Sequence, residues 1–369
     1  MSVIKRKDHR LKRIFTVYHV MGTTFHRWIS PVFTGIGLLI LHCIVSIGII
    51  LDHLFYPSLR KIRIQKPIVI VGNPRSGTTF LQRFLVNHGL GAGMRIWKMI
   101  FPSLVLQRMI KPLLPCLERY SPARGHQTIV HETDLGAIET DDPAILFRYA
   151  DGLFLYGFFL TLAKEDLRPL FDPDVRDTAQ RDFTWLETIW KRNLVSEGQE
   201  RVIAKLFSLG IRIPRFLMKF PDAKILYMVR DPLHTVPSGL SLVTGVLDAR
   251  FGFWDLPEET RKRYINRLYH AFLELNMRFL EDYIRGRIPE KNIMIVPYHR
   301  IMQDFSRLMD EILSFIGVEA TPDLIKSIKE TAEKQRRYQS RHTYDLAKFG
   351  INEEKILTDY ATIYEVLLK

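Results

Sequence analysis

Residues 72–79 read Gly-Asn-Pro-Arg-Ser-Gly-Thr-Thr, which places two glycines, a proline, an arginine and three hydroxyl side chains in eight consecutive positions. The chemistry available to such a loop is anion binding. Gly72 and Gly77 permit a tight backbone, and the N–H groups of residues 76–79 would open a helix, where unsatisfied donors and the helix dipole favour a phosphate. The frame is G-x-x-x-x-G-x-[ST], but Thr78 stands where a nucleoside triphosphatase carries its lysine. A γ-phosphate needs that lysine, whereas a ligand with a 5′-phosphate and no β,γ chain does not. An incidental glycine turn is the competing reading, and the double threonine, Thr78 and Thr79, argues against it. A second group of chemically able side chains lies between residues 126 and 139, where His126, His131, Glu132, Asp134 and Glu139 gather. These types accept protons, and an exposed acidic loop is the alternative. No histidine or carboxylate pattern has metal-ligand spacing, so no metal is expected.

The elements that must hold the loop are legible on either side of it. "PIVIVG" is a short continuous apolar run suited to a central parallel strand, and "TTFLQRFLVNHG" places Phe80, Leu81, Phe84 and Leu85 on one helical face with Gly89 as a stop. A second strand-to-helix unit is "KILYMVRDPLHTVPSGLSL", and "KNIMIVPY" reads as a further strand. Helical stretches fill residues 257–285 and 303–335. The expected fold class is α/β, a P-loop-containing parallel sheet flanked by helices on both sides, with an N-terminal membrane-associated helix.

That last element rests on "WISPVFTGIGLLILHCIVSIGIIL", Trp28 to Leu51, in which His42 is the sole titratable interruption. At about 1.5 Å per residue the run is long enough for the ~30 Å hydrocarbon layer, and it is too long and too late for a cleaved signal peptide. A buried core helix is the competing reading. Basic residues flank it on both sides, Lys5 to Arg13 before and Arg60 to Lys66 after, so orientation is open between a single span and a re-entrant helix, and attraction to anionic lipid is expected. The expected division is a leader and apolar segment over 1–65 and a catalytic domain over 66–369. The 369 residues carry a net charge of +13 with 47% hydrophobic and 25% charged side chains, which excludes a disordered chain and implies anionic partners. Two cysteines, Cys43 and Cys116, cannot build a disulfide framework, and no N-x-Ser/Thr acceptor is present; both point to a chain facing the cytoplasm.

"PRSGTTF", followed about 150 residues later by "FPDAKILYMVRDPLHTVPSG", resembles the sulfotransferases that use 3′-phosphoadenosine 5′-phosphosulfate (PAPS), and most closely their bacterial-type branch. Weaker similarity runs through "AKLFSLGIRIPRFLMKFPDA", "IMIVPYHRIMQDF" and "SRHTYDLAKFG". The resemblance implies that Arg75, Ser76, Gly77, Thr78 and Thr79 bind the 5′-phosphosulfate, that Arg230 and Ser238 bind the 3′-phosphate, and that Tyr298 lies near the nucleotide. It places Lys205 beside the transferring sulfuryl group, with Arg75 and Lys205 stabilising charge without a metal. Glu132 is the expected general base, since the histidine that some relatives carry after the lysine is missing from "KLFSLG". Arg341 and His342 are implied as a late basic segment over the nucleotide. The aromatic stretch 151–164 is either core or the wall of an acceptor channel. The implied partners are PAPS, a hydroxylated lipid-like or amphipathic acceptor and a membrane, not nucleic acid. A P-loop NTPase or kinase, with Asp231 ending a Walker-B strand, and a catalytically degenerate scaffold stay as alternatives.

Overall fold

The structure is a computed structural model that describes residues 10–119, 134–337 and 346–368. Its sheet has four parallel strands, β1 (Ile68–Val71), β2 (Ile203–Lys205), β3 (Lys224–Val229) and β4 (Ile293–Pro297), in the order β2-β1-β3-β4. All four residues of β1 are buried, as a strand with neighbours on both edges and both faces requires. Side chains alternate across it. Ile68 and Ile70 of β1, with Leu226 and Met228 of β3, join Leu81, Phe84 and Leu85 of helix α3 (Thr78–Asn87) and the inner face of the helix Phe305–Ile316 in one apolar cluster. On the opposite face, Tyr227 stacks on Phe279 of the long helix Glu258–Ile284, and its O–H donates to Asn276 Oδ1 at 3.0 Å. Helices therefore cover both faces, as the alternating strand and helix patterns predict.

Two departures from the sequence reading have local causes. The stretch 303–335 is not continuous: Gly317 takes a left-handed φ of 68° after Ile316, and a new helix begins at Pro322 and runs to Arg337. The strand β2 was not expected at all, because three residues are too few to show a period.

The chain forms two compact units: one of Met1–Arg63, Met94–Gly198 and Val243–Leu268, the other of Ile64–Gly93, Gln199–Leu242 and Tyr269–Lys369. The sheet belongs to the second. The first holds helices α1 (Arg10–Phe25) and α2 (Ser30–Phe55), the latter formed from the apolar run. α2 is not a core helix, since only Val45, Gly48 and Asp52 in it are buried. The aromatic stretch of the same unit is split. Leu155, Tyr156, Leu160 and Leu162 are core, and Phe154, Phe158 and Phe159 are half-buried.

Candidate active site

Each of the four strands delivers a polar side chain at its C-terminal end. β1 runs into the glycine loop, β2 ends on Lys205, β3 is followed by Arg230, and β4 by Tyr298. The chain leaves β1 for β2 on one side and β3 on the other, so the loop sits at the point where the strand order reverses, the usual place for a ligand in an open parallel sheet.

The loop's geometry follows from its residues. Gly72 has φ 146°, and a Cβ there would lie 2.5 Å from the carbonyl oxygen of Met228, so only glycine lets β1 and β3 approach as they do. Gly77 opens α3 at φ 89°, with the Tyr298 ring against it, 2.9 Å from where a Cβ would be. Lacking a side chain, Gly77 cannot cap α3, which leaves the first-turn N–H groups to an anion. Ser76 is buried and its Oγ donates to the carbonyl of Asn73 at 2.7 Å, closing the turn; Asn73 Nδ2 in turn donates to the carbonyl of Phe272 at 3.2 Å. Thr78 is buried at the start of α3.

Three cationic side chains are tied to this frame. Lys205, 1% exposed, donates from Nζ to Thr79 Oγ1 at 2.9 Å. Arg75 adopts a φ of 75°, a conformation that non-glycine residues rarely take, and donates from Nε to Ser238 Oγ at 2.8 Å. Ser238 is buried on the helix Pro232–Phe251 that follows β3. Arg230 donates from Nη1 to the carbonyl of Arg75 at 2.9 Å, and its guanidinium lies 4.2 Å over the ring of Tyr298. Among the described residues no carboxylate pairs with Arg230. Its neighbour Asp231 is engaged elsewhere: it accepts from the backbone N–H of Leu233 at 2.9 Å and from the hydroxyl of Tyr364 at 2.5 Å. Burial, with the charge and hydrogen bond of Asp231, pushes the Tyr364 phenol above its ordinary range, so it stays a donor. Asp231 thus works as a helix-capping group, which removes the basis for a Walker-B reading. What the loop and its neighbours can do is bind a polyanion at two points, α3's N-terminus and the Arg230–Ser238 end, and stabilise negative charge beside Lys205 and Arg75.

A family model described as "Sulfotransferase family" matches residues 67–323, a stretch that includes all four strands and all of these side chains except Tyr364. The chain belongs to the sulfotransferase family. Sulfotransferase STF1 of Mycobacterium tuberculosis H37Rv superposes on this family member with a TM-score of 0.69, covering 96% of this chain and 91% of that one at 16% identity. STF9 of Mycobacterium avium gives 0.66, covering 86% and 81% at 17% identity. At such identities the likeness establishes the fold. In sequence the chain is similar to Sulfotransferase 2A1 of Macaca fascicularis, 24% identical over 180 residues, which are 46% of this chain and 58% of that protein. The human Sulfotransferase 2A1 is 23% identical over 199 residues, 49% of this chain and 65% of that protein. The match therefore spans less than two thirds of either curated relative.

Of the site residues expected in this family member, Arg75, Ser76, Gly77, Thr78, Thr79, Lys205, Arg230, Ser238 and Tyr298 are all in the second unit and are brought together at the strand ends. Glu132, His126 and His131 lie outside the described residues, as do Arg341 and His342. Asp134 and Glu139 are in the first unit, where Asp134 is exposed and its carbonyl accepts from Ala137 N. Sequence reasoning missed Asn73 and Tyr364. Asn73 sits inside the quoted loop and was readable as a polar side chain in a tight turn; Tyr364 has no local signal, because its partner is 133 residues away.

Proposed function

We propose that this chain transfers a sulfuryl group from PAPS to a hydroxyl of a lipid-like or amphipathic acceptor. The observation that carries the reading is the gathering of donors at the C-terminal ends of the strands: α3's N-terminus with Thr79 and Lys205, and Arg230 and Ser238, with Arg75 bonded to both of the latter and so standing between the two groups. A 3′,5′-bisphosphate has two anionic ends, and the N-terminus of α3, which no side chain caps, offers backbone donors to one of them. PAPS supplies an activated sulfuryl group whose bridging oxygen gains charge as transfer proceeds. In this reading Ser76, Gly77, Thr78 and Thr79 hold the 5′-phosphosulfate, Arg230 and Ser238 the 3′-phosphate, and Tyr298 packs beside Arg230. Arg75 and Lys205 are fixed in place before reaction, so they stabilise developing charge with little reorganisation. Glu132 takes the acceptor's proton. Residues 66–369 carry the catalysis, and residues 1–65 hold the protein at a membrane, with the catalytic region on the cytoplasmic side.

Thermal-shift measurement separates this from its rivals. 3′,5′-ADP raises the melting temperature; a rise with ATP and magnesium alone would assign a triphosphatase, and a response to neither a degenerate scaffold. The acceptor is tested with radiolabelled PAPS supplied to total membrane lipid or to soluble polysaccharide and protein fractions. Label in the soluble fractions alone would overturn the lipid acceptor. Glu132→Gln is expected to lower turnover while nucleotide affinity stays within about twofold, and rescue by a more acidic alcohol would tie the loss to proton removal.

A further inference from the structure

We propose that α2 is embedded in one leaflet of an anionic phospholipid bilayer and does not cross it; the proposal rests on the membrane reading of the N-terminal segment. By length alone α2 qualifies as a span, since its 26 residues at about 1.5 Å each exceed the ~30 Å hydrocarbon layer. Its attachments say otherwise. Just ahead of α2, Phe25 is buried and packs on Phe251 with ring centroids 4.9 Å apart, and Trp28 meets Tyr18 edge-on at 5.6 Å. Near the other end, Asp52 is wholly buried; it accepts from Arg192 Nε at 2.7 Å, from Ser103 Oγ at 2.9 Å, and from the backbone N–H groups of Leu104 and Val105. One turn and a half earlier, Arg148 Nη1 donates to Ser46 Oγ at 2.9 Å. All of these partners belong to the same compact unit. A helix that crosses a bilayer has its ends on opposite sides of the hydrocarbon, so a unit that grips both ends would itself have to cross, bringing Arg148, Asp52 and Arg192 to membrane depth.

The remaining surface of α2 has the character of a lipid-facing one. Every residue from Val32 to Ile40 is exposed, and from there Ile44, Ile47, Ile50 and Leu54 stay exposed at helical spacing opposite the docked Val45, Gly48 and Asp52. At Gly48 a Cβ would lie 2.7 Å from Ser103 Oγ, so the helix Leu104–Ile110 packs tightly against α2. Met109, and then Leu113 and Leu117, continue the apolar surface beyond it. Most of the exposed large apolar side chains among the described residues belong to this one region, far more than scattered surface residues would give. Exposed cations, Arg27, Arg60, Lys61, Arg108 and Lys111, accompany it and suit anionic head groups.

Two measurements on the full chain decide the matter. In flotation with vesicles of phosphatidylcholine and phosphatidylglycerol, the protein is expected to rise with the lipid, and Leu39→Asp, whose side chain is 62% exposed, to weaken binding about tenfold or more at an unchanged melting temperature. Failure to float, whether the chain is monomeric or self-associates, would overturn the membrane reading together with the anchor. In the second, Arg27→Cys and Ser58→Cys are placed singly in a Cys43→Ser, Cys116→Ser background. Sealed membranes from the producing cells are treated with an impermeant maleimide, intact and after opening with detergent. The two positions, at either end of α2, are expected to respond alike. Reaction of one in intact membranes and of the other only after opening would establish a span and overturn the single-leaflet anchor while leaving membrane binding in place.

Discussion

Arg75 is the most constrained residue of the candidate site: a left-handed backbone, a carbonyl that accepts from Arg230 and a guanidinium that donates to Ser238. Strain of this kind costs about 1–3 kcal/mol and persists where surrounding contacts hold it. Because Arg230 contacts Arg75 through the backbone, the two side chains can be tested separately. Arg230→Ala is expected to weaken 3′,5′-ADP binding by about ten- to a hundred-fold, the value of a charge-assisted hydrogen bond, and 5′-AMP binding far less. Calorimetric titration with both nucleotides checks this, and equal losses would remove Arg230 from the 3′-phosphate. Arg75→Ala should reduce kcat more than cofactor affinity if its charge acts on the leaving oxygen.

At the scale of elements, the glycine loop and the buried charges of the first unit make opposite demands. Gly72→Ala brings a methyl group against backbone that cannot move without parting β1 from β3, so a loss of about 2–4 kcal/mol is expected in denaturant unfolding. At Gly77 the obstructing atom belongs to the Tyr298 ring, which can give way, and the loss there is smaller. Asp151 anchors α1: it is 1% exposed and ion-paired to Arg13, Arg176 and Arg181. Burial by itself would raise its pKa, but the hydrogen bonds and charge of Arg176, with the charge of Arg13 and the hydrogen bond from Arg181, outweigh burial and hold it at about 2, against 3.8 for the ordinary carboxyl. A carboxyl depressed in the folded state stabilises it above the unfolded pKa, and that stability is lost as pH falls from about 4 towards 2. The shift corresponds to about 2 kcal/mol. Asp151→Asn removes the carboxylate charge from among Arg13, Arg176 and Arg181 and should cost about 3–5 kcal/mol at neutral pH, with about 2 kcal/mol of the difference from the wild type disappearing as pH falls to 2 and below, and about half of that by pH 3. Unfolding curves at pH 7, pH 3 and pH 2 test both statements.

For the whole molecule, a net charge of +13 and cations at the strand ends predict an electrostatically steered encounter with a bisphosphate. Stopped-flow association of 3′,5′-ADP should slow by about tenfold between low and high salt, because screening acts on the approach. Dissociation, governed by partly buried contacts, should change much less. An association rate indifferent to salt would mean that the charge does not steer the nucleotide.

The parts of this protein that sequence alone determined are those whose causes are local. The apolar run before Gly72, the double threonine after Gly77 and the strand-to-helix passage through Arg230 to Ser238 each encode their geometry within a dozen residues, so β1, α3, β3 and the loop were legible. Lys205 and Tyr298 were legible through resemblance to a family, since nothing in "AKLFS" or "IVPYH" marks a site by pattern. The tertiary structure decided what depends on distant partners. It joined β2 to β1 through residues more than 130 positions apart, gave Asp231 to Tyr364 and Arg75 to Ser238, and placed Asp52, just past the apolar run, on Arg192. That last contact spans 140 positions. Hydropathy sees an apolar run broken only by His42 and leaves a span and a re-entrant helix open; a buried carboxylate near one end and a buried phenylalanine before the other, both held by one folded unit, tie the helix to that unit. Periodicity records which faces are apolar, and only packing shows what lies against them.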